Sequence, residues 1–196
     1  CDILIIGAGP AGMAAALAAA PSGAAITVVD DNPQPGGQIW RDGPQVALPP
    51  LAQQHRAALA QHANIRVLTG TRVVGLGARQ PTDKAPALLL EDADRGWTQH
   101  SHRIVLCTGA RELLLPFPGW TLPGVTGAGA LQALIKAGLN VRGQRIVIAG
   151  TGPLLLATAA TATQAGARVV RIAEQASWAA FARFAAQLPR WPAKAL

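Results

Sequence analysis

The chain has 196 residues, half of them apolar and only 14% charged, which supplies matter for a sizeable core and excludes a disordered, solvating polypeptide. Its formal net charge of +7 comes from 17 Lys and Arg against 10 Asp and Glu; the basic residues are scattered, without a run or aromatic interleaving, so no nucleic-acid surface is expected. Cys1 and Cys107 stand far apart with no C-x-x-C, which excludes a redox dithiol, a zinc ribbon and an iron–sulfur cluster held within this chain, and fits a reducing, cytoplasmic compartment. No apolar run reaches the roughly 18 residues of a membrane helix, and no signal-peptide pattern is present. The chain starts without Met inside a strand-like run, so residue 1 is read as an internal point and a leader upstream stays open.

In chain order, "DILIIG" is a continuous apolar run ending in Gly, the signature of a buried parallel strand. "PAGMAAALAAA" follows as a helix of small residues stopped by "PSG", and "AAITVVD" is a second buried strand. Together they form a β-α-β unit of about 30 residues with parallel strands. "NPQPGGQIWRDGPQ" reads as a loop and "LPPLAQQHRAALAQHA" as a helix. From Ile65 to Cys107 the apolar runs shorten into "IRVLTG", "TRVVGLG", "PALLLED", "WTQHSH" and "RIVLCTG", separated by turns such as "GARQPTDKAP" and "DADRG". We read this as a β-meander inserted after the β-α-β unit, returning to the main sheet through "RIVLCTGA". The proline-rich "RELLLPFPGWTLPGVTG" is a domain crossing, "ALQALIKAGL" a helix, and "QRIVIAGTGPLLLATAATATQAGARVVRIAE" a second β-α-β unit before an Ala-rich helix with a proline-broken end.

That second unit repeats the first with a period of roughly 140 residues, too long for a solenoid, so it signals two related domains. The expected class is α/β with two dinucleotide-binding (Rossmann-like) folds, the first carrying the meander and the second truncated. The expected boundaries are residues 1–115, a crossing segment and helix at 116–140, and the start of the second fold at 141–196. A fold that stops after one unit marks the chain as part of a longer protein.

The glycine pattern carries the chemistry. Gly7, Gly9 and Gly12 form G-x-G-x-x-G with Ala8, Pro10 and Ala11 between them: a tight turn, room for a pyrophosphate against bare backbone, and close helix–strand packing. The helix N-terminus adds unpaired N–H groups and positive dipole. Asp30 follows 18 residues past Gly12 at a strand end, where a carboxylate accepts ribose hydroxyls and repels a 2′-phosphate.

"GAGPAGMAAA", "PGGQIWR" (Pro35 to Arg41), "CTGA" (Cys107 to Ala110) and "LPFPGWTLPGVTGAGALQALIKAG", taken with the second fold, resemble the FAD-dependent pyridine nucleotide-disulfide oxidoreductase superfamily. Within it they resemble the flavin-containing α subunits of bacterial amine and imino-acid dehydrogenases. That group includes the A subunit of opine oxidase, the hydroxyproline dehydrogenase α subunit, the related part of sarcosine oxidase α and the B subunit of hydrogen cyanide synthase. The resemblance covers essentially the whole chain. It implies FAD in the first fold, with Gly7, Gly9, Pro10, Ala11 and Gly12 at the pyrophosphate, Asp30 at the ribose, and Gly37, Gln38 and Arg41 on the flavin side. It places Val73 at the adenine through its backbone, or in the core, and Thr108 and Gly109 closing the site. It also implies a partner subunit whose own flavin oxidises an amine or imino acid, while this subunit passes the electrons on. Such proteins close their FAD site with a later glycine–aspartate motif and often add a cysteine-rich segment, neither of which lies within these 196 residues.

In the second motif Gly150 and Gly152 persist but Leu155 stands where the first has Gly12. Glu174 follows Gly150 by 24 residues, against 23 from Gly7 to Asp30, so its acid is expected one step out of register. We therefore expect a retained fold with weak binding or another adenine nucleotide, NAD(P) being the doubtful ligand. No residue earns an acid–base role, so the catalytic residues stay unassigned. His100 and His102, two apart on a strand, and His55 and His62, seven apart on a helix, are read as surface residues; no metal site is expected. Cys107 is read as a small core residue. Trp178, Phe181 and Phe184 are read as a helix face, core or subunit contact. The competing functions are an NAD(P)H-dependent flavoprotein reductase and, without catalysis, a nucleotide-binding scaffold subunit.

Overall fold

The computed structural model describes residues 1–44, 46–77 and 85–187. The chain divides into two compact units, Cys1–Arg111 and Glu112–Leu196.

In the first unit β1 (Ile3–Ile6) and β2 (Ile26–Val29) pair in parallel, Ile3 opposite Ile26 through Ile6 opposite Val29. Between them runs α1 (Pro10–Ala19), whose first residue is a proline needing no N–H partner there. A single 3₁₀ turn, Ala20–Ser22, ends at left-handed Gly23 and returns the chain to the sheet. The next helix, α2 (Pro50–Gln61), leads into β3 (Ile65–Leu68), which pairs in parallel with β2. "IRVL" is thus a strand of the main sheet and not the first strand of the meander, which corrects the sequence reading. The Asn64 side chain explains the choice, donating to the carbonyls of Ala20 and Ala24 at 2.9 and 3.0 Å and seating the α2–β3 turn beside the entry to β2. A four-residue strand looks the same in sequence whichever sheet it joins.

The meander proper has three antiparallel strands, β4 (Arg72–Leu76), β5 (Ala87–Glu91) and β6 (Gly96–His100), with a register shift between Val73 and Gly75. β7 (Arg103–Leu106) then returns to the far side of β1, completing the order β3-β2-β1-β7 with all neighbours parallel. Because strand side chains alternate, β1 and β2 feed two cores. Ile5, Ile26 and Val28 pack on one face against Met13, Ala16 and Leu59 of the helices. Leu4 and Val29 pack on the other against Leu88 and Leu90 of the meander. Each such side chain, fully buried, is worth about 1.5–3 kcal/mol. Most of the "GARQPTDKAP" turn lies outside the described residues.

In the second unit α3 (Ala128–Lys136) has its N-terminus met by the Glu112 carboxylate, which accepts the Gly129 N–H at 2.8 Å. β8 (Arg145–Gly150), α4 (Leu154–Gln164) and β9 (Arg168–Glu174) form the second parallel β-α-β unit. Its cores join Ile135 and Val141 to Ala162 and Ala167, and Ile148 to Leu155 and Ala159. The β8–β9 ladder is interrupted once: Ile146 faces Val169, but the next residue, Val147, faces Arg171. Val170 is therefore an extra, unpaired residue, a β-bulge. α5 (Trp178–Ala185) starts at Ser177, whose side chain accepts the Ala180 N–H at 3.3 Å. Trp178, Phe181 and Phe184 are 86%, 44% and 45% exposed, so among the described residues they form an open face, not core. The proline-broken end lies outside those residues.

Candidate functional site

Three loops, after β1, β2 and β7, leave the C-terminal edge of the first unit's parallel sheet, where α/β folds place ligands. The β1 loop is the glycine motif. Gly7 sits at φ 101°, and a Cβ there would overlap the carbonyl of Cys107. A Cβ on Gly12 would overlap the carbonyl of Gly7 and lie 3.4 Å from the Cys107 Cβ. Turn, helix and β7 therefore meet backbone to backbone, and only hydrogen fits at both positions. Gly9 is different: a Cβ would meet nothing nearer than Gly37 Cα, at 3.9 Å, so its outer face is open. At this end of α1 the first N–H groups precede the Met13 N–H to Gly9 carbonyl bond of 3.0 Å and have no intrahelical partner.

Asp30, 7% exposed, ends β2 beside that turn. Its Oδ2 accepts the Ala8 N–H at 2.5 Å, and its Oδ1 accepts both the Asn32 N–H at 2.8 Å and the Asn32 side-chain amide at 2.7 Å. Since each carboxylate oxygen offers two lone pairs, Oδ2 keeps capacity for a ribose hydroxyl. The loop after β2 is clasped onto the glycine turn by the Gly36 N–H, which donates to the Ala8 carbonyl at 2.8 Å. It is braced from α2 by Arg56, which bonds the Trp40 carbonyl at 3.2 Å and Asp42 at 3.0 Å, while His55 packs edge-on against Trp40 at 5.3 Å. Arg41 donates to Asn32 Oδ1 at 2.9 Å, and a cavity of about 240 Å³ opens between residues 32–34, Gly37 and residues 41–43.

The structure brings Gly7, Gly9, Pro10, Ala11, Gly12, Asp30, Gly37 and Arg41 together with the start of the β7 loop. Gln38 is exposed on the clasped loop, and Thr108 and Gly109 are exposed just past Cys107; the Thr108 Cα abuts Gly7. Val73 is half-buried against Leu4, Val29 and Leu90, and the Thr71 N–H donates to the Asp30 carbonyl at 2.9 Å, holding the start of β4 to the acid. Sequence reasoning missed Asn32. The available signal was an Asn two residues beyond an acid, the spacing of an Asx turn.

The second unit repeats the arrangement with two changes. Glu174 is not out of register: the bulge at Val170 absorbs the additional residue, so Glu174 faces Gly150 across the ladder. Its carboxylate accepts the N–H groups of Gly152 and Ala176, each at 2.9 Å. Those bonds, with one to the Thr151 side chain, hold it below the usual Glu range, Ala176 contributing most. The loop itself departs from the first. Gly152 is left-handed at φ 91° where Gly9 is extended at φ −70°, and Pro153 caps α4 where Pro10 lies within α1. Leu155 stands at the position of Gly12, where the second unit has room for a side chain: it is 5% exposed and packs on Ile148 and Ala159.

The remaining candidates carry less. β6 ends at His100, leaving His102 outside the strand with its ring nitrogen 3.2 Å from Asp2, and His62 lies beyond the end of α2. Among the described residues no cluster of three or more His, Cys, Asp or Glu could hold a metal, and no helix is long and apolar enough to cross a membrane. Partial burial raises the Cys107 thiol above its ordinary value, so it stays protonated at neutral pH.

The family model described as pyridine nucleotide-disulphide oxidoreductase matches residues 1–196. The A subunit of opine oxidase from Agrobacterium tumefaciens (strain Ach5) is 38% identical over 178 residues, covering 84% of this chain and 35% of that protein. Hydrogen cyanide synthase subunit HcnB of Pseudomonas protegens is 38% identical over 182 residues, covering 87% of this chain and 38% of that one. The chain thus spans little more than a third of these relatives' length. Among solved structures, L-proline dehydrogenase from P. horikoshii shares the fold with a TM-score of 0.67 at 18% identity, over 90% of this chain and 36% of that one.

Proposed function

The chain belongs to the pyridine nucleotide-disulphide oxidoreductase family, and on that premise we propose that its first fold holds FAD within the electron-transferring α subunit of an amine, opine or hydroxyproline dehydrogenase. The observation that carries this reading is the junction of Gly7, Gly12 and Cys107, packed backbone on backbone, beside the open face of Gly9 and the buried Asp30 carboxylate. Bare backbone, a helix N-terminus and an acid at the neighbouring strand end are what a dinucleotide pyrophosphate and its ribose require.

When bound, FAD supplies the two-electron chemistry; the protein positions it and tunes its surroundings. In this reading the first turn of α1 takes the pyrophosphate, Pro10 and Ala11 shaping its entry, and Asp30 takes a ribose hydroxyl. Gly37, Gln38 and Arg41 line the side toward the flavin, Val73 borders the adenine, and Thr108 and Gly109 close the site from β7. The names of the relatives, the A subunit of opine oxidase and hydrogen cyanide synthase subunit HcnB, support a multi-subunit enzyme; in this reading a partner subunit oxidises the amine or imino acid.

A second reading is favoured by the registered Glu174: an NAD(P)H-dependent reductase in which Gly150, Gly152 and Glu174 bind the nicotinamide nucleotide. The altered loop at Gly152 and the filled position of Leu155 weigh against it. The test is the visible spectrum of the full-length protein followed by anaerobic mixing. Flavin absorbance that bleaches with an amino- or imino-acid donor and the partner subunit supports the first reading, and bleaching by NADH alone supports the second. A protein that never binds flavin supports a nucleotide-binding scaffold.

A further inference from the structure

Asn32 lies between two charges of opposite sign. Its amide nitrogen donates to Asp30 Oδ1 at 2.7 Å and to Asp31 Oδ1 at 3.1 Å, while its oxygen accepts from Arg41 Nη2 at 2.9 Å. This environment leaves a single orientation for the amide. A flipped side chain would set its oxygen against two carboxylates and its NH₂ against a guanidinium. Asn32 is itself held at both ends of its backbone: its N–H goes to Asp30 Oδ1 at 2.8 Å, and its carbonyl accepts the Gly70 N–H at 2.9 Å.

The consequence falls on Asp30. With Oδ1 held twice by Asn32 and Oδ2 facing the glycine turn through Ala8, the carboxylate cannot rotate about χ2 without breaking charge-assisted bonds. On the far side of Asn32, the Arg41 Nε is screened from solvent and has no hydrogen-bond partner among the described residues. Arg41, Asn32 and Gly37 border the same cavity of about 240 Å³. An unpartnered, shielded guanidinium nitrogen is costly unless an acceptor comes to it.

We propose that Asn32 is the positioning residue of the dinucleotide site: it aims the Asp30 carboxylate at the ribose and, through Arg41, links that aim to the loop over the cofactor. This rests on the reading that the first fold binds FAD. Neither residue takes part in electron transfer; the chain Arg41–Asn32–Asp30 acts on binding alone.

The experiment is a double-mutant cycle on the full-length apoprotein, titrating FAD by calorimetry, with the melting temperature of each apo variant as the folding control. Asn32→Ala is expected to weaken FAD about tenfold in the wild-type background and hardly at all in Asp30→Asn, because the residue acts through that carboxylate. Asn32→Asp, which sets a third carboxylate against the first two, is expected to lose more than Asn32→Ala. Arg41→Gln, which leaves Asn32 in place, is expected to lose about threefold with Asp30 intact and less in Asp30→Asn, where only its own position beside the cofactor remains; it carries the test if the Asn32 variants melt below the assay temperature. Equal losses in both Asp30 backgrounds, or wild-type affinity in Asn32→Ala and Arg41→Gln, overturn the proposal. Wild-type protein that binds no FAD overturns the underlying reading instead, before any variant is compared.

Discussion

Gly12→Ala tests the backbone junction directly. The added Cβ would overlap the Gly7 carbonyl and touch the Cys107 Cβ at 3.4 Å. The first of these neighbours is main chain held in a turn, so it cannot rotate away, and α1 has to retreat from the end of β1. Overpacking of this kind costs about 1–3 kcal/mol, and alanine's better helix propensity returns up to about 1 kcal/mol. Because the obstacle is main chain, the cost falls in the upper part of that range, about 2–3 kcal/mol, so the net loss is about 1–2 kcal/mol, or roughly 5–10 °C in Tm for a domain of this size. On the proposed reading, in which the first N–H groups of α1 hold the FAD phosphates, the same retreat draws them away, so the FAD Kd is expected to rise at least about tenfold, some 1.4 kcal/mol. Flavin fluorescence quenching on titration into apoprotein, paired with thermal melts, reads both effects. Gly75→Ala is the control: its backbone is not left-handed and a Cβ there meets nothing within 4 Å, so it is expected to change neither value. A Gly12→Ala protein with wild-type Kd and a Tm within about a degree of wild type would refute the argument.

Leu155→Ala empties a filled position, and its loss from the Ile148–Ala159 cluster is expected to destabilise the second unit by about 2–3 kcal/mol, seen as a lower urea midpoint. Deleting Val170 leaves every facing pair of the β8–β9 ladder available and is expected to be nearly neutral; deleting Ile172 pushes Arg171 opposite Ile148 and is expected to destabilise, with the reverse ranking counting against the bulge. The Ala176 N–H, the Thr151 side chain and the Gly152 N–H hold the Glu174 carboxyl below the usual Glu range, so its contribution is present above that range and is lost as pH falls through the lowered value. Glu174→Gln is accordingly expected to flatten the acid-side fall in Tm, and an unchanged profile would show that the carboxylate bonds contribute nothing.

The parallel strands, the glycine turn and the acid at the end of β2 are legible in the sequence because each has a local cause: a continuous apolar run, hydrogen-only positions, a carboxylate at a fixed distance along the chain. The assignment of "IRVL" is not, because joining the main sheet depends on Asn64 reaching Ala20 and Ala24 across 40 positions or more. Glu174 misleads for a related reason. Spacing counted in sequence equals spacing along a ladder only where no residue bulges out, and Val170 does. Asn32 escapes notice because its role lies in contacts with Asp30 and Arg41 that form only when the chain after β2 folds back on itself.

The position of β7 has a consequence for how the protein comes into being. Its partner β1 is synthesised about a hundred residues earlier, and the whole meander lies between them, which makes this a slow, high-contact-order pairing. Gly7 and Gly12 close on Cys107, so the nucleotide cleft cannot be complete on the ribosome until β7 has emerged and docked. On the proposed reading, FAD thus arrives too late to template the first β-α-β unit, which has to hold together on its own helices and strands. What the cofactor can do is lock the last strand in place, slowing its release and with it the opening of the first unit.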